Sequence, residues 1–231
     1  MLDLRSLDIR QGSFRLRADF RVAPGAKVAV LGPSGAGKST LLSVIAGFFP
    51  AQGGSVLWQG QPLEGLAPGR RPVAMLFQDG NLFPHLDIAR NVALGLTPAR
   101  RLTPAQRDRV AQALARVGLA GFGPRRPAEL SGGQQSRAAL ARILVQERPL
   151  LLLDEPFAAL GPALRAEMLD LVAALVEETG ATLLMVSHAP EDARRIAGEI
   201  VLVEGGTAHP PAPARALLDN PPEALRRYLG D

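Results

Sequence analysis

The chain has 231 residues, enough for one large core or a core with a smaller lobe, and it contains no cysteine and three scattered histidines, which excludes disulfides and thiolate metal sites and argues against zinc. The formal charge of +4 and a pI near 10.5 would suit nucleic acid, but the arginines are interleaved with acids, as in RRPAEL and PEDARRIAGE, the pattern of a solvated mixed surface. No signal-peptide plan and no apolar run of membrane-spanning length is present, so a soluble or peripheral protein in a reducing, cytosolic setting is expected.

The first residues, to about Val22, alternate apolar and polar side chains as short strands do. AKVAVL, Ala26 to Leu31, reads as a buried strand. It runs into GPSGAGKST: Gly32, Pro33, Ser34, Gly35, Ala36, Gly37, Lys38, Ser39 and Thr40. LLSVIAG then continues as a helix, so the motif has the strand, loop and helix context it requires. Gly32, Gly35 and Gly37 let successive backbone N–H groups face one anion, and the helix beginning near Ser39 adds its positive dipole end. Lys38 would reach the β- and γ-phosphates of ATP, Ser39 would sit on Mg²⁺, and Thr40 could serve the α-phosphate. The only lysines in the chain are Lys27 and Lys38. One of the two therefore falls where a slim point charge is needed and a planar guanidinium would crowd the loop.

Ser55 to Gly60 and Arg71 to Gln78 read as further strands, the second ending on a polar side chain. From about Asp79 to Gln146 the pattern is helical. Thr103, Pro104 and Gln106 form a capping box opening TPAQRDRVAQALARVG, and QQSRAALARILVQE follows the glycines at Gly132 and Gly133 as a second helix. LLLLDEP and ATLLMVSH return to strand, separated by a helix from about Ala163 to Glu178. EIVLVEGG reads as a final hairpin strand, and HPPAPA loosens the chain before a short terminal helix.

LLLLD, Leu150 to Asp154, is the second chemical landmark. A strand buried on both faces that ends in acid sets carboxylates at the carboxyl edge of a parallel sheet, where ligands bind in α/β folds. Asp154 would hold Mg²⁺, directly or through water, and Glu155 would face the attacking water as general base or polariser. Alone, the same residues could be a strand that merely reaches solvent at an acidic turn. LSGGQQSR, Leu130 to Arg137, is the third landmark. Gly132 and Gly133 would expose N–H groups at a helix start, which suits a γ-phosphate, although the segment could equally just cap its helix.

These residues together resemble the ATP-binding-cassette (ABC) ATPases: the loop at Gly32 to Thr40, Gln78 after a strand, LSGGQ at Leu130 to Gln134, LLLLDEP at Leu150 to Pro156 and His188 closing a strand. The order and spacing span nearly the whole chain. The resemblance implies an α/β fold, a P-loop NTPase with a RecA-like core, an antiparallel β subdomain and an inserted α-helical subdomain. It divides the single nucleotide-binding domain, 1–231, into a core ATP-binding lobe at about 1–78 and 147–231 and a helical signature lobe at about 79–146, without a C-terminal regulatory domain. It also implies that Gln78 contacts Mg²⁺ or the lytic water and that His188 orients that water against the γ-phosphate. Ser131, Gly132, Gly133 and Gln134 of one subunit would complete the ATP site of another.

Several positions depart from the family pattern. Where S-A-L-D is common the chain has Ala159, Leu160 and Gly161, so an aspartate that helps couple the two sites is replaced by Gly161. Gln11 stands where an adenine-stacking aromatic is usual, with Phe14 the nearest aromatic. Ser136 replaces a frequent glutamine, with little consequence expected.

Import-type cassettes match best, and Arg70 to Leu96 is most similar to the cassettes of bacterial thiamine importers. Cassettes for iron, polyamine, sulfate or molybdate remain alternatives, as does, in another class, a nucleic-acid-associated ABC ATPase. The implied partners are a second copy of the chain closed by ATP, integral-membrane permease subunits and, indirectly, a periplasmic solute-binding protein, with no nucleic acid. The implied location is peripheral, on the cytoplasmic face of the bacterial inner membrane. Asp79 to Leu96, with Leu82, Phe83, Leu86 and Ile88 as its apolar contacts, is the expected docking segment for the permease.

Overall fold

A computed structural model describes residues 1–78, 80–223, 225 and 226, so Asp79, where the helical region was expected to begin, lies outside the described residues. The alternating N-terminal pattern forms a long hairpin of Leu2–Gln11 (β1) and Phe14–Val22 (β2), with a register shift between Leu4 and Leu7. On the outer side of β1 lies Gly53–Trp58 (β4), which pairs with the two-residue Gln61–Pro62 (β5).

The continuous apolar runs form a second, parallel arm. Lys27–Leu31 (β3), Val73–Leu76 (β6), Leu150–Asp154 (β7), Thr182–Val186 (β8) and Glu199–Glu204 (β9) lie side by side in the order β9, β3, β8, β7, β6. Every pairing in this arm is parallel. Helices cover both faces, which is why these strands carry no polar alternation. Thr207–Ala208 (β10) joins the arms by pairing antiparallel to β9 and parallel to β2. The proline-rich stretch after it does not simply loosen: Ala212–Pro213 (β11) pairs with the edge of β9, leading into the helix Ala214–Asp219 (α7).

Lys38–Ala46 (α1) packs beneath the phosphate-loop side of the sheet and ends at Gly47. The buried Arg71 donates to two carbonyls in the last turn of α1, Val44 and Ile45, at 2.9 and 2.8 Å, helping to satisfy the acceptors of the helix end. On the other face, Ile88–Ala93 (α2), Pro104–Arg116 (α3), Gly132–Leu144 (α4) and Pro162–Thr179 (α5) share one continuous core with β6, β7 and β8. Thr103 and Gln106 make the reciprocal capping box at the start of α3. The helix placed after the two signature glycines begins two residues earlier, at Gly132 itself. Pro190–Ile196 (α6) packs with α7 over β3 and β9.

Candidate functional site

The strand order brings the chemistry to one edge. β3, β8, β7 and β6 are parallel neighbours, so the segments after them, carrying Gly32–Thr40, His188, Asp154 with Glu155, and Gln78, all leave from the carboxyl ends of adjacent strands. That edge is where an open parallel sheet binds its ligands.

The phosphate loop needs glycine for two distinct reasons. Gly32 has φ 150 and a Cβ there would stand 2.0 Å from the carbonyl oxygen of Val203 on β9, so only glycine lets the loop leave the sheet. Gly37, with φ 101, has the ring of Phe14 where a Cβ would be, 2.3 Å from Cζ. Gly37 is the N-cap of α1 and supplies no capping side chain, so the first N–H groups of the helix remain available to an anion. The Lys38 ammonium folds back and donates to the carbonyls of Gly32 and Pro33 at 2.7 and 2.9 Å. Burial lowers the Lys38 pKa, against the opposing pull of the Glu155 and Asp154 carboxylates.

Asp154 closes β7, and its Oδ1 accepts a 2.8 Å hydrogen bond from the Ser39 hydroxyl. Burial is the largest influence on this carboxyl and raises its pKa above the usual carboxylate value, while the Ser39 hydrogen bond and Lys38 act in the opposite direction. A hydroxyl and a half-buried carboxylate, hard oxygen donors in contact, fit a small divalent cation that takes its other ligands from phosphate and water. Glu155 follows in a left-handed conformation with φ 47, uncommon for a side chain with Cβ and often retained at working sites. Its Oε1 lies 2.6 Å from His188 Nε2, and its N–H donates to Val186 on β8.

The structure therefore gathers Ser34, Gly35, Gly37, Lys38, Ser39, Thr40, Glu155 and His188 around one open cleft of about 250 Å³. Gln11 and Phe14 line the same cleft, so the residue at the usual aromatic position and its nearest aromatic both reach it. Gln78 does not line this cleft. It stands exposed in a turn two residues beyond β6, at the mouth of a neighbouring groove of about 560 Å³ that also includes Gly132 and Leu160.

Ser131, Gly132, Gly133 and Gln134 are likewise absent from the phosphate cleft. Ser131 and Gln134 cap α4 reciprocally: Gln134 N donates to Ser131 Oγ at 3.4 Å, and Ser131 N donates to Gln134 Oε1 at 3.0 Å. Gly133 is held tightly, since a Cβ would meet the Leu164 side chain of α5 at 2.4 Å, whereas a Cβ at Gly132 would meet nothing within 4 Å. Gly161, the N-cap of α5, has an ordinary φ of −65 and similarly open surroundings.

Two arrangements carry no sequence motif. Arg142 on α4, buried enough to lower its pKa, donates to the carbonyls of Gly80 and Asn81 just after Gln78, at 2.6 Å each. Asn91 on α2, fully buried, accepts from Phe83 N and donates to the carbonyls of Phe83, Leu86 and Asp87. Together they fix the expected docking segment. Within it Phe83 is exposed, but Ile88, expected among the docking contacts, is a core residue with 0% exposure and offers no docking surface.

Comparison with known proteins gives one consistent result. The profile of the ABC transporter family matches residues 16–158. The protein called thiamine import ATP-binding protein ThiQ in Ruegeria sp. (strain TM1040) is 64% identical over 230 residues, covering 100% of both chains. That of Cereibacter sphaeroides is 60% identical with the same coverage. The dimeric post-hydrolysis structure of the ATP-binding cassette MJ0796 bound to ADP and Pi superposes with a TM-score of 0.80 at 28% identity, covering 93% of this chain and 99% of that one.

Proposed function

The chain belongs to the ABC transporter family, and from that premise we propose that it is the ATP-hydrolysing subunit of a bacterial importer for thiamine or its phosphates. The observation that carries the enzymatic reading is the pair of contacts across the carboxyl edge: Ser39 Oγ to Asp154 Oδ1 at 2.8 Å and His188 Nε2 to Glu155 Oε1 at 2.6 Å, both beside the phosphate loop. The solute comes from the names of the full-length relatives, since no residue described here has a reason to touch thiamine.

In this reading the loop amides of Gly35 to Thr40 and the Lys38 ammonium hold the phosphates of ATP. Lys38 exchanges its two carbonyl acceptors for phosphate oxygens, and burial strengthens that attraction. Ser39 and Asp154 would hold Mg²⁺, which when bound neutralises charge on the phosphates; Gln78, outside the cleft, would join them only after a shift of its turn. Glu155 accepts a proton from the attacking water, the bond from the γ-phosphorus to its bridging oxygen breaks, and ADP and inorganic phosphate leave. His188 keeps Glu155 aimed and can donate to the γ-phosphate.

The N–H groups at the start of α4 cannot serve this cleft from within one chain, so Ser131 to Gln134 would reach the nucleotide of a second copy. Two copies closing head to tail over two ATP would pull attached permease subunits together, and hydrolysis would release them. A periplasmic binding protein would deliver the solute. No helix among the described residues is long and apolar enough to cross a membrane, consistent with peripheral attachment to the cytoplasmic face. The division into a core lobe, 1–78 and 147–231, and a signature lobe, 79–146, belongs to the same proposal.

The test is to reconstitute the chain with a thiamine-importer permease and its solute-binding protein, and to measure ATP hydrolysis. Stimulation by thiamine-loaded binding protein, and not by DNA or RNA, is expected. Stimulation by a different solute would move the assignment to another importer, and stimulation by nucleic acid would remove it from transport.

A further inference from the structure

Behind the Glu155–His188 pair lies a cavity of about 270 Å³ walled by Arg165, Ser187, Asp192 and the chain from Pro156 to Ala158. Three of these side chains form a closed polar network. Arg165, in the first turns of α5, donates from Nε and Nη2 to Asp192 Oδ2 at 3.0 and 2.5 Å. The Ser187 hydroxyl donates to the same oxygen at 2.5 Å. Ser187 Oγ in turn accepts from Ala189 N at 3.0 Å. Ser187 and Asp192 are only 2% and 6% exposed.

The residues on either side of His188 are thus tied to one hydroxyl, and that hydroxyl to one ion pair. Arg165 is also anchored to Gly161, whose carbonyl accepts from Arg165 N at 2.9 Å. A continuous path therefore runs from Gly161 through Arg165, Asp192 and Ser187 to His188 and on to Glu155. Burying such a pair carries a desolvation cost that apolar residues of similar volume would avoid, so packing alone is a weak reason for it. A satisfied network in a low-dielectric pocket does, however, hold its members in one geometry.

We propose that Arg165, Asp192 and Ser187 are positioning residues that hold His188 against Glu155 and so govern the rate of hydrolysis without touching the nucleotide. The proposal rests on the ATPase reading above and deepens it: in a chain that has Gly161 instead of a carboxylate, α5 still has a mechanical route into the reacting pair.

The experiment combines kinetics with an observation of the imidazole itself. Asp192→Asn, and Ser187→Ala as the milder variant that keeps the Arg165–Asp192 pair, are made in the wild-type and His188→Ala backgrounds. Misplacing a catalytic group by about 1 Å can cost roughly a hundredfold in rate. In the wild-type background kcat is expected to fall roughly 10- to 100-fold for Asp192→Asn and less for Ser187→Ala, with KM for ATP unchanged. In the His188→Ala background the same changes should cost less than about twofold, because groups acting through one residue are not additive.

The protein has three histidines, so ring NMR signals of His85 and His209 serve as internal controls, and only the His188 signal should shift. Equal losses in both backgrounds, or an unmoved His188 signal, would overturn the proposal. An inactive wild type would sink the ATPase reading instead, and the His188 signal would still decide whether the network holds the ring.

Discussion

The carboxyl edge of the parallel sheet and the start of α4 carry two halves of one chemistry, and they are built differently. At the sheet edge, four adjacent parallel strands end side by side, and side chains more than a hundred residues apart meet, as Ser39 in the first turn of α1 and Asp154 at the end of β7 do at 2.8 Å. At α4, Ser131 and Gln134 spend their polar atoms on each other, and the open surroundings of Gly132 face no phosphate cleft of the same chain. In the proposed mechanism the first region binds the nucleotide, and the second completes the site of another copy.

The largest effect should come from the first region. Glu155→Gln removes the general base while keeping shape, and general-base losses run from about a hundredfold to ten-thousandfold; kcat should fall by at least about a hundredfold with ATP binding retained, measured by steady-state hydrolysis and fluorescent-nucleotide titration. Hydrolysis near the wild-type rate would mean that Glu155 is not the base.

Next in size is a paired change at the signature glycines. Gly132→Asp adds a side chain into open space, so thermal stability should hardly change while hydrolysis falls roughly a hundredfold, since charge is placed where a partner's γ-phosphate would lie. Gly133→Ala meets only the half-buried Leu164 side chain, which can turn aside, and the gain in helix propensity of up to about 1 kcal/mol should offset the packing cost, leaving Tm nearly unchanged. A Gly132→Asp protein with normal hydrolysis would break the division of labour between the two regions.

A smaller effect tests the tension stored at the sheet edge. Burial raises the pKa of Asp154 above its ordinary value, so the folded chain holds that proton more tightly than the unfolded chain. Ionised Asp154 therefore lowers stability at pH above its folded pKa, and this penalty vanishes as pH falls below the unfolded value near 3.8. Asp154→Asn should raise the Tm of the nucleotide-free protein at pH 7, an advantage that shrinks on acidification, while abolishing Mg²⁺-dependent hydrolysis. A lower Tm at pH 7 would contradict it.

The smallest is Gly161→Asp. The position has an N-cap conformation, no capping side chain and space for a Cβ, so the carboxylate should add a few tenths of a kcal/mol, about 1 °C in Tm. Destabilisation would show that glycine is needed there for the fold.

How much of this was legible in the sequence follows the same division. The phosphate loop and LLLLDE could be read because each is a local strand-to-loop transition whose residue types and spacing carry the mechanism. The capping box at Thr103 and Gln106 was legible for the same reason. Phe14 over Gly37, Arg142 on the Gly80 and Asn81 carbonyls, and the Arg165–Asp192–Ser187 network were not. They join residues far apart in the chain, and arginine is so abundant here that no single one stands out before the fold assembles it. Ile88 was misread because a short apolar cluster interrupted by Pro84 and Asp87 does not reveal which side of the chain faces the core. The pairing of β11 with β9 was hidden by its prolines, which suit an edge strand but signal irregular chain.

The central claim is that one chain binds ATP and two copies hydrolyse it. Sedimentation velocity of the Glu155→Gln protein, with and without ATP, tests this most directly. A monomer without nucleotide that becomes a dimer with ATP, and fails to do so when Gly132→Asp is added, is the predicted result. A monomer that remains a monomer while saturated with ATP would contradict it.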